Sequence, residues 1–308
     1  MRIVFMGTPD FAVPSMERLL SDGHEIVLAV TQADKPRGRH QQLTPPPVKV
    51  CALQHNIPVF QPNTLRDEAA FGRLQEAAPD LIVVVAYGKL LPQAVLTLPK
   101  YGAINVHGSL LPKYRGAAPI QWTVLNGEKT AGVTTMQMNE GLDTGDMLLQ
   151  CSREVPEDMT SGELFDLLCG DGASLLSDTL KQLEAGTLDP KPQDDALSTY
   201  SPMLTKDMCP LDFSKSAEQL HNQVRGLHPW PVATCTLNGQ PLKIHKSRVG
   251  EKTAGNPGEV VSVSPLSVAC GDGTALQILE LQAPGSRRMP ADDFLRGHPI
   301  KVGETRFE

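Results

Sequence analysis

The chain has 308 residues, 40% hydrophobic and 20% charged, which at roughly 100 to 200 residues per domain leaves room for two domains with separate cores and excludes a peptide-sized or disordered protein. No run approaches the roughly 18 apolar residues of a membrane span, and the opening MRIVFMGTPD has one basic residue and an acid at position ten, unlike a secretory or transit segment, so a cytoplasmic protein without membrane association is expected. The net charge of −7 hides an asymmetry: residues 1–200 carry 16 basic against 24 acidic groups and residues 201–308 carry 12 against 11, and basic groups gathered on one face can still bind RNA.

In chain order, residues 2–6 form an apolar run that stops at Gly7-Thr8-Pro9, and Phe11, Ala12, Met16, Leu19 and Leu20 then recur at helical spacing. The alternation repeats, with strands predicted over 25–31, 57–60 and 81–86 and helices over 48–55 and 68–77. Residues 81–86 read as a strand buried on both faces, since six consecutive apolar residues including three valines suit the centre of a parallel sheet. Further strands are predicted over 103–106, 132–138 and 147–155, with a helix over 120–125. A long amphipathic helix over 161–184 closes the first domain, and Gly170 and Gly172 predict an irregularity in its middle. The proline-rich stretch 188–203 lacks periodicity and reads as linker. Beyond it, two runs around Asn238-Gly239 form a hairpin, and strands over 260–263, 267–270 and 276–281 complete a small β-barrel of OB type, preceded by a helix near 216–226. The fold class is α/β, a Rossmann-like parallel sheet followed by an OB-like barrel. Its expected divisions are residues 1–188, a linker at 189–205 and a second domain at 206–308.

Alternating strands and helices collect ligands outside the carboxyl ends of the strands. There the sequence places Asn105-Val106-His107-Gly108-Ser109-Leu110-Leu111-Pro112. Strand alternation puts Asn105 and His107 on one side, where an amide donor and an imidazole can meet one substrate atom. Asp143, between Gly141 and Gly145, is a candidate acid, with an ordinary turn as the alternative there and turn chemistry as the commoner reading of an Asn-x-His at a strand end; Asp146 is its rival. An Asn, a His and an Asp together could supply an oxyanion donor, a proton-transfer group and a carboxylate that orients the imidazole. Six scattered cysteines without a CxxC pair predict reduced, mostly buried thiols. No GxxxxGK or GxGxxG is present, so neither ATP nor NAD is expected.

Taken together, Gly7-Thr8-Pro9 with Phe11-Ala12, Val30-Thr31-Gln32, the run from Asn105 to Pro112, Tyr114-Arg115-Gly116-Ala117-Ala118-Pro119-Ile120 and Gly141-Leu142-Asp143-Thr144-Gly145-Asp146 resemble, in order, the motifs of the methionyl-tRNA formyltransferases. The likeness covers nearly the whole chain. It implies a formyltransferase domain with Asn105, His107 and Asp143 as catalytic trio and Ser109, Leu110, Leu111 and Pro112 in the folate site. It also implies 10-formyltetrahydrofolate as co-substrate, no tightly bound cofactor or metal, and methionyl initiator tRNA as acceptor in translation initiation. The pterin is expected beside residues 85–91, with a helix start at Lys89-Leu90-Leu91-Pro92 as the alternative there. The loop between Ala33 and Pro47 matches the family's tRNA-contacting insertion, with Lys35, Arg37 and Arg39 as its cations, although His40, Gln41 and Gln42 stand where lysines are usual. Lys243, Lys246, Arg248, Lys252, Arg287, Arg288 and Arg296 are expected to add phosphate contacts, and Trp230, between two prolines, to be core. A monomer is expected. The rival readings are a formyltransferase for a small amine, a hydrolase releasing formate from the same folate, and a nonenzymatic RNA-binding module; the arginine loop and the barrel argue against the first, and the assembled site against the last.

Overall fold

The computed structural model describes residues 1–37 and 42–308, with the side chain of Arg37 excepted. Two compact units share the chain. The first comprises Met1–Pro119, Ala131–Arg153 and Phe165–Ser201, and the second Ile120–Thr130, Glu154–Leu164 and Pro202–Glu308. The units are therefore interleaved in sequence, and two short stretches from within the first two hundred residues belong to the second.

The first unit is built on the strands β1 (Arg2–Gly7), β2 (Glu25–Val30), β3 (Lys35–Arg37), β4 (Gln42–Thr44), β5 (Val59–Phe60), β6 (Leu81–Val85), β7 (Ala103–His107), β8 (Arg115–Gly116), β9 (Thr130–Gln137), β10 (Met147–Glu154) and β11 (Tyr200–Ser201). Seven of them form one sheet in the order β10-β9-β7-β6-β1-β2-β5. The pairs from β5 to β7 are parallel, and β9 runs antiparallel to β7. This parallel-dominated sheet with helices is the Rossmann-like architecture that the alternation of runs predicts. All five residues of β6 are buried, as a continuous apolar strand requires. Its helices are α1 (Val13–Ser21), α2 (Pro47–Gln54), α3 (Glu68–Ala77), α4 (Gln93–Leu96) and most of α6 (Ser161–Ala185), whereas α5 (Pro119–Leu125) falls in the second unit but for Pro119. Asp67 caps α3 by accepting the Ala70 amide at 2.7 Å, and the helix stops at Ala78 in the left-handed region.

Three expectations need revision here. Helix α6 runs unbroken through Gly170 and Gly172. Gly172 explains part of this, because a Cβ there would lie 3.1 Å from Val106 Cγ1; the missing side chain lets the helix pack closely on the sheet, a tertiary gain that offsets poor propensity. The stretch after Ala33 is not simply loop, since β3 and β4 pair antiparallel as a two-stranded ribbon, Lys35 opposite Thr44 and Arg37 opposite Gln42. The stretch read as linker is ordered up to residue 201: β11 pairs with β8, Tyr200 opposite Arg115 and Ser201 opposite Gly116.

The second unit contains α7 (Ala217–Gly226), begun by a Ser216–Gln219 capping box, and the strands β12 (Ala233–Leu237), β13 (Gln240–Lys252), β14 (Val260–Val263), β15 (Leu266–Ala269), β16 (Thr274–Gln282) and β17 (Met289–Pro290), followed by α8 (Ala291–Gly297). Asn238 and Gly239 both take positive φ between β12 and β13, the geometry of a two-residue hairpin. The sheet order is β12-β13-β16-β15-β14, with β17 on β16, and every pairing is antiparallel. Residues 303–308 join its two ends: Phe307 bridges Leu237, the last residue of β12, and Arg306 bridges Glu259, just before β14. The Val260 amide donates to Thr305 at 2.9 Å and the Phe307 amide to Gly258 at 2.8 Å, so the open sheet becomes the OB-like barrel. Leu242, Ile244, Leu266, Val268, Leu276 and Leu281 fill it.

Among the described residues no helix is long and apolar enough to cross a membrane. All six cysteines are free and five are buried; burial pushes the Cys169 and Cys235 thiols up to about 12.

Candidate active site

Strand β7 lies between β6 and β9 and delivers Asn105 and His107 to its carboxyl end, 8% and 6% exposed. Two positions apart, they share a side of the sheet. His107 Nε2 lies 2.9 Å from the Tyr114 carbonyl oxygen. A carbonyl only accepts, so Nε2 carries the hydrogen and Nδ1 is the atom that faces the site. It lies 3.7 Å from Asp143 Oδ2. The other carboxylate oxygen, Oδ1, is 3.5 Å from Asn105 Nδ2. Both separations exceed a normal hydrogen bond, so the three side chains converge without locking together, a spacing that tightens in catalytic sites when substrate arrives.

Asp143 follows β9 in a turn where its own φ is +53°, a left-handed conformation uncommon for a residue with a side chain. Several groups hold it there. The Gly116 amide donates to Oδ2 at 2.8 Å, and Gln193 Nε2 donates to the carbonyls of Asp143 and Gly145, both at 2.8 Å. Gly145 must lack a side chain, since a Cβ would sit 1.7 Å from the Gln137 carbonyl oxygen. The rival acid Asp146 is exposed just before β10, and its carbonyl accepts the Gln137 amide at 2.8 Å. The structure therefore brings Asp143, and not Asp146, to the amide and the imidazole.

The segment Ser109, Leu110, Leu111 and Pro112 is anchored to β9. Thr134 Oγ1 donates to the Ser109 carbonyl at 2.6 Å and receives the Leu111 amide at 3.1 Å, Gln150 Nε2 reaches the Leu111 carbonyl at 2.9 Å, and Ser109 Oγ donates to the Lys113 carbonyl at 2.7 Å. Leu110 and Pro112 stay half-buried, so what the segment offers a ligand is chiefly apolar shape. At the end of β6 the Tyr87 carbonyl accepts Gln32 Nε2 at 2.8 Å and Thr8 Oγ1 at 3.2 Å, and burial pushes the Tyr87 hydroxyl up to about 12. No helix starts at Lys89: its Nζ donates to the carbonyls of Pro62 and Asn63 at 2.8 and 2.9 Å, and α4 begins only at Gln93, after Pro92. A groove of about 670 Å³ opens at the opposite end of the sheet, beside Arg2, His24 and Asn56, away from these groups.

Of the expected tRNA contacts, Lys35 donates to Gln32 Oε1 at 3.0 Å. Arg37 lies in β3, and Arg39 falls outside the described residues. In the second unit Lys243, Lys246, Arg248 and Lys252 are exposed along β13. Arg248 pairs with Asp158 at 3.2 Å, Arg296 with Asp293 at 3.1 Å, and Arg288 with Glu280, so part of that charge is compensated locally. Trp230 is not core: it stands 59% exposed between Pro229 and Pro231, because the barrel interior is already filled from its strands. The sequence marks Tyr114 and Gly116 only as members of a motif and does not single out Gln193 or Ser201. Tyr114 and Gly116 act through backbone atoms that no residue type announces, and the other two lie in the stretch read as linker.

A buried amide, a buried imidazole and a partly buried carboxylate thus converge beside the carboxyl end of a parallel strand, and comparison with known proteins gives the class. Residues 1–180 match the formyl transferase family and residues 203–299 the formyl transferase C-terminal domain. Over its full length the chain is 50% identical to a methionyl-tRNA formyltransferase of Acidobacterium capsulatum, covering 100% of this chain and 99% of that one. It is 48% identical to the protein of that name from Ruminiclostridium cellulolyticum, covering 99% of each. The chain belongs to the methionyl-tRNA formyltransferase family. Among solved structures, an N-formyltransferase from Helicobacter canadensis, in complex with folinic acid and dTDP-3-aminofucose, superposes with a TM-score of 0.67 at 20% identity, over 91% of this chain and 98% of that one. Glycinamide ribonucleotide transformylase 1 from Symbiobacterium toebii superposes with a TM-score of 0.52 at 19% identity, over 63% of this chain and 94% of that one. These two likenesses speak for the fold.

Proposed function

We propose that this enzyme transfers the formyl group of 10-formyltetrahydrofolate to the α-amine of methionyl initiator tRNA. The convergence of Asn105, His107 and Asp143 at the end of β7 carries the chemistry. The full-length relatives and the second unit carry the choice of acceptor. The amine nitrogen attacks the formyl carbon, a new C–N bond forms, and the carbonyl electrons move to oxygen. Asn105 Nδ2 and a protonated His107 Nδ1 donate to that oxyanion. Asp143, beside both, receives the amine proton directly or through one water. Collapse breaks the bond between the formyl carbon and N10, which gains a proton, leaving N-formylmethionyl-tRNA and tetrahydrofolate.

In this reading the folate lies against Ser109, Leu110, Leu111 and Pro112, with its pterin near residues 85–91. Lys35, Arg37 and Arg39 meet tRNA phosphates, and the second unit adds Lys243, Lys246 and Lys252. Residues 1–188 hold the catalytic trio and residues 206–308 the barrel's cations, and one copy in the cytoplasm suffices. The test is formyl transfer to methionyl initiator tRNA, run beside glycinamide ribonucleotide, an amino sugar nucleotide and a water-only control. Formylated methionyl-tRNA is the expected product; transfer only to a small amine, or formate release alone, overturns the acceptor and keeps the folate chemistry. Arg39→Ala is expected to weaken use of tRNA far more than use of folate, and an equal loss of both removes Arg39 from tRNA binding.

A further inference from the structure

We infer that Gln193 is a positioning residue for formyl transfer, an inference that rests on the role given to Asp143 above. The Gln193 amide uses its whole hydrogen-bonding capacity at one place. Its NH2 group donates one hydrogen to the Asp143 carbonyl and the other to the Gly145 carbonyl, both at 2.8 Å. Its oxygen accepts Arg115 Nε at 3.0 Å and Arg115 Nη2 at 2.9 Å. Two donors and two acceptor sites are all a primary amide has.

The two sides of that amide meet the two supports of the Asp143 carboxylate. On one side is the turn that holds Asp143 at positive φ, a conformation that persists only when surrounding contacts over-determine it. On the other is Arg115, whose neighbour Gly116 donates its amide to Asp143 Oδ2. Arg115 is 12% exposed in its side chain and is fixed further by Asp195 Oδ1 at 2.8 Å. Asp143 thus keeps its place between Asn105 and His107 because Gln193 ties turn and strand together. Ser201, from the same stretch, serves the imidazole: its Oγ lies 3.2 Å from the Tyr114 carbonyl, the group that holds His107 Nε2, and 2.9 Å from the Arg115 carbonyl.

A glutamate keeps the acceptors for Arg115 and turns oxygen lone pairs toward two carbonyls, while a methionine keeps the length and loses every bond. The experiment measures kcat, KM for each substrate, the pH profile of kcat and the thermal midpoint for Gln193→Glu, Gln193→Met and Asp143→Ala. The expected result is a fall in kcat of about 10- to 100-fold in both Gln193 variants, the scale of a small misplacement of a catalytic group. KM is expected to change little, and Gln193→Glu to displace the pH profile at a midpoint near that of the parent. If Gln193→Met fails to fold, Gln193→Glu, nearly isosteric, decides. An inactive Asp143→Ala beside Gln193 variants with parental kcat and pH profile overturns the positioning role and leaves the catalytic reading standing. A kcat loss that disappears when counted per folded molecule overturns it too. An active Asp143→Ala removes the catalytic reading itself, and with it the inference.

Discussion

The two units place their polar groups by opposite rules. In the first, Asn105, His107 and Asp143 are few and nearly buried, and the latter two are held by atoms close at hand, the Tyr114 carbonyl for the imidazole and the Gly116 amide for the carboxylate. In the second, the cations stand outside on β13, several residues apart, and some answer a nearby acid, as Arg248 does Asp158. Breaking and making bonds requires groups fixed to a fraction of an ångström, whereas attracting a phosphate backbone depends on how many charges face it and tolerates loose placement. A site can thus be recognised by how strongly its neighbours constrain it as well as by which residues it contains.

Four experiments put that contrast at risk. Phe307→Ala should cost about 3 to 5 kcal/mol, because Phe307 is buried, meets Phe213 edge-on at 6.3 Å between ring centroids and belongs to the segment that closes the barrel. Calorimetry should show the loss in the unfolding of the second unit while folate binding survives; a loss shared equally by both would mean that the units do not fold separately. Asn105→Ala, His107→Ala and Asp143→Ala should each fold normally and lose ~2 to 4 kcal/mol of transition-state stabilisation, read as single-turnover rates, and a near-parental rate would take that residue out of the mechanism.

Replacing Lys243, Lys246 and Lys252 with glutamine should raise KM for tRNA and flatten the dependence of log kcat/KM on log salt by about 0.9 for each phosphate no longer neutralised, with folate KM unchanged. An unaltered slope would place the tRNA-binding cations elsewhere. The smallest effect concerns acid. Burial, first among the causes, holds the imidazoles of His221, His228 and His245 in the second unit below their usual value of 6.5. As pH falls through that value the unfolded chain takes up protons that the folded one resists, so stability declines. The first unit has His24 in the same condition, so the second should lose stability more steeply on acidification, which denaturant titrations at a series of pH values would detect.

Much of this was legible in the sequence where one signal acts alone. The buried run at β6, the Asn238-Gly239 hairpin and the two-residue offset of Asn105 and His107 follow from periodicity and turn chemistry. The rest depends on contacts between distant segments. Gly172 weakens α6 by propensity, yet its value appears only when Val106 lies beside it. Trp230 looks like core by residue type, and only the filled barrel shows why it stands outside. Gln193 has no periodic neighbours, and its meaning comes from Arg115 and Asp143, distant in sequence. The choice between Asp143 and Asp146 likewise needed the turn to be seen, because only the backbone settles which carboxylate points inward.

The seam of residues 303–308 also sets an order of events during synthesis. Both β12 and β14 are made before the segment that joins them, so the nascent second unit carries two unpaired strand edges until residues 303–308 have left the ribosome, while the seven-stranded sheet of the first unit already has every strand. A chain stalled short of residue 303 would present those edges to its neighbours, a template for pairing between molecules.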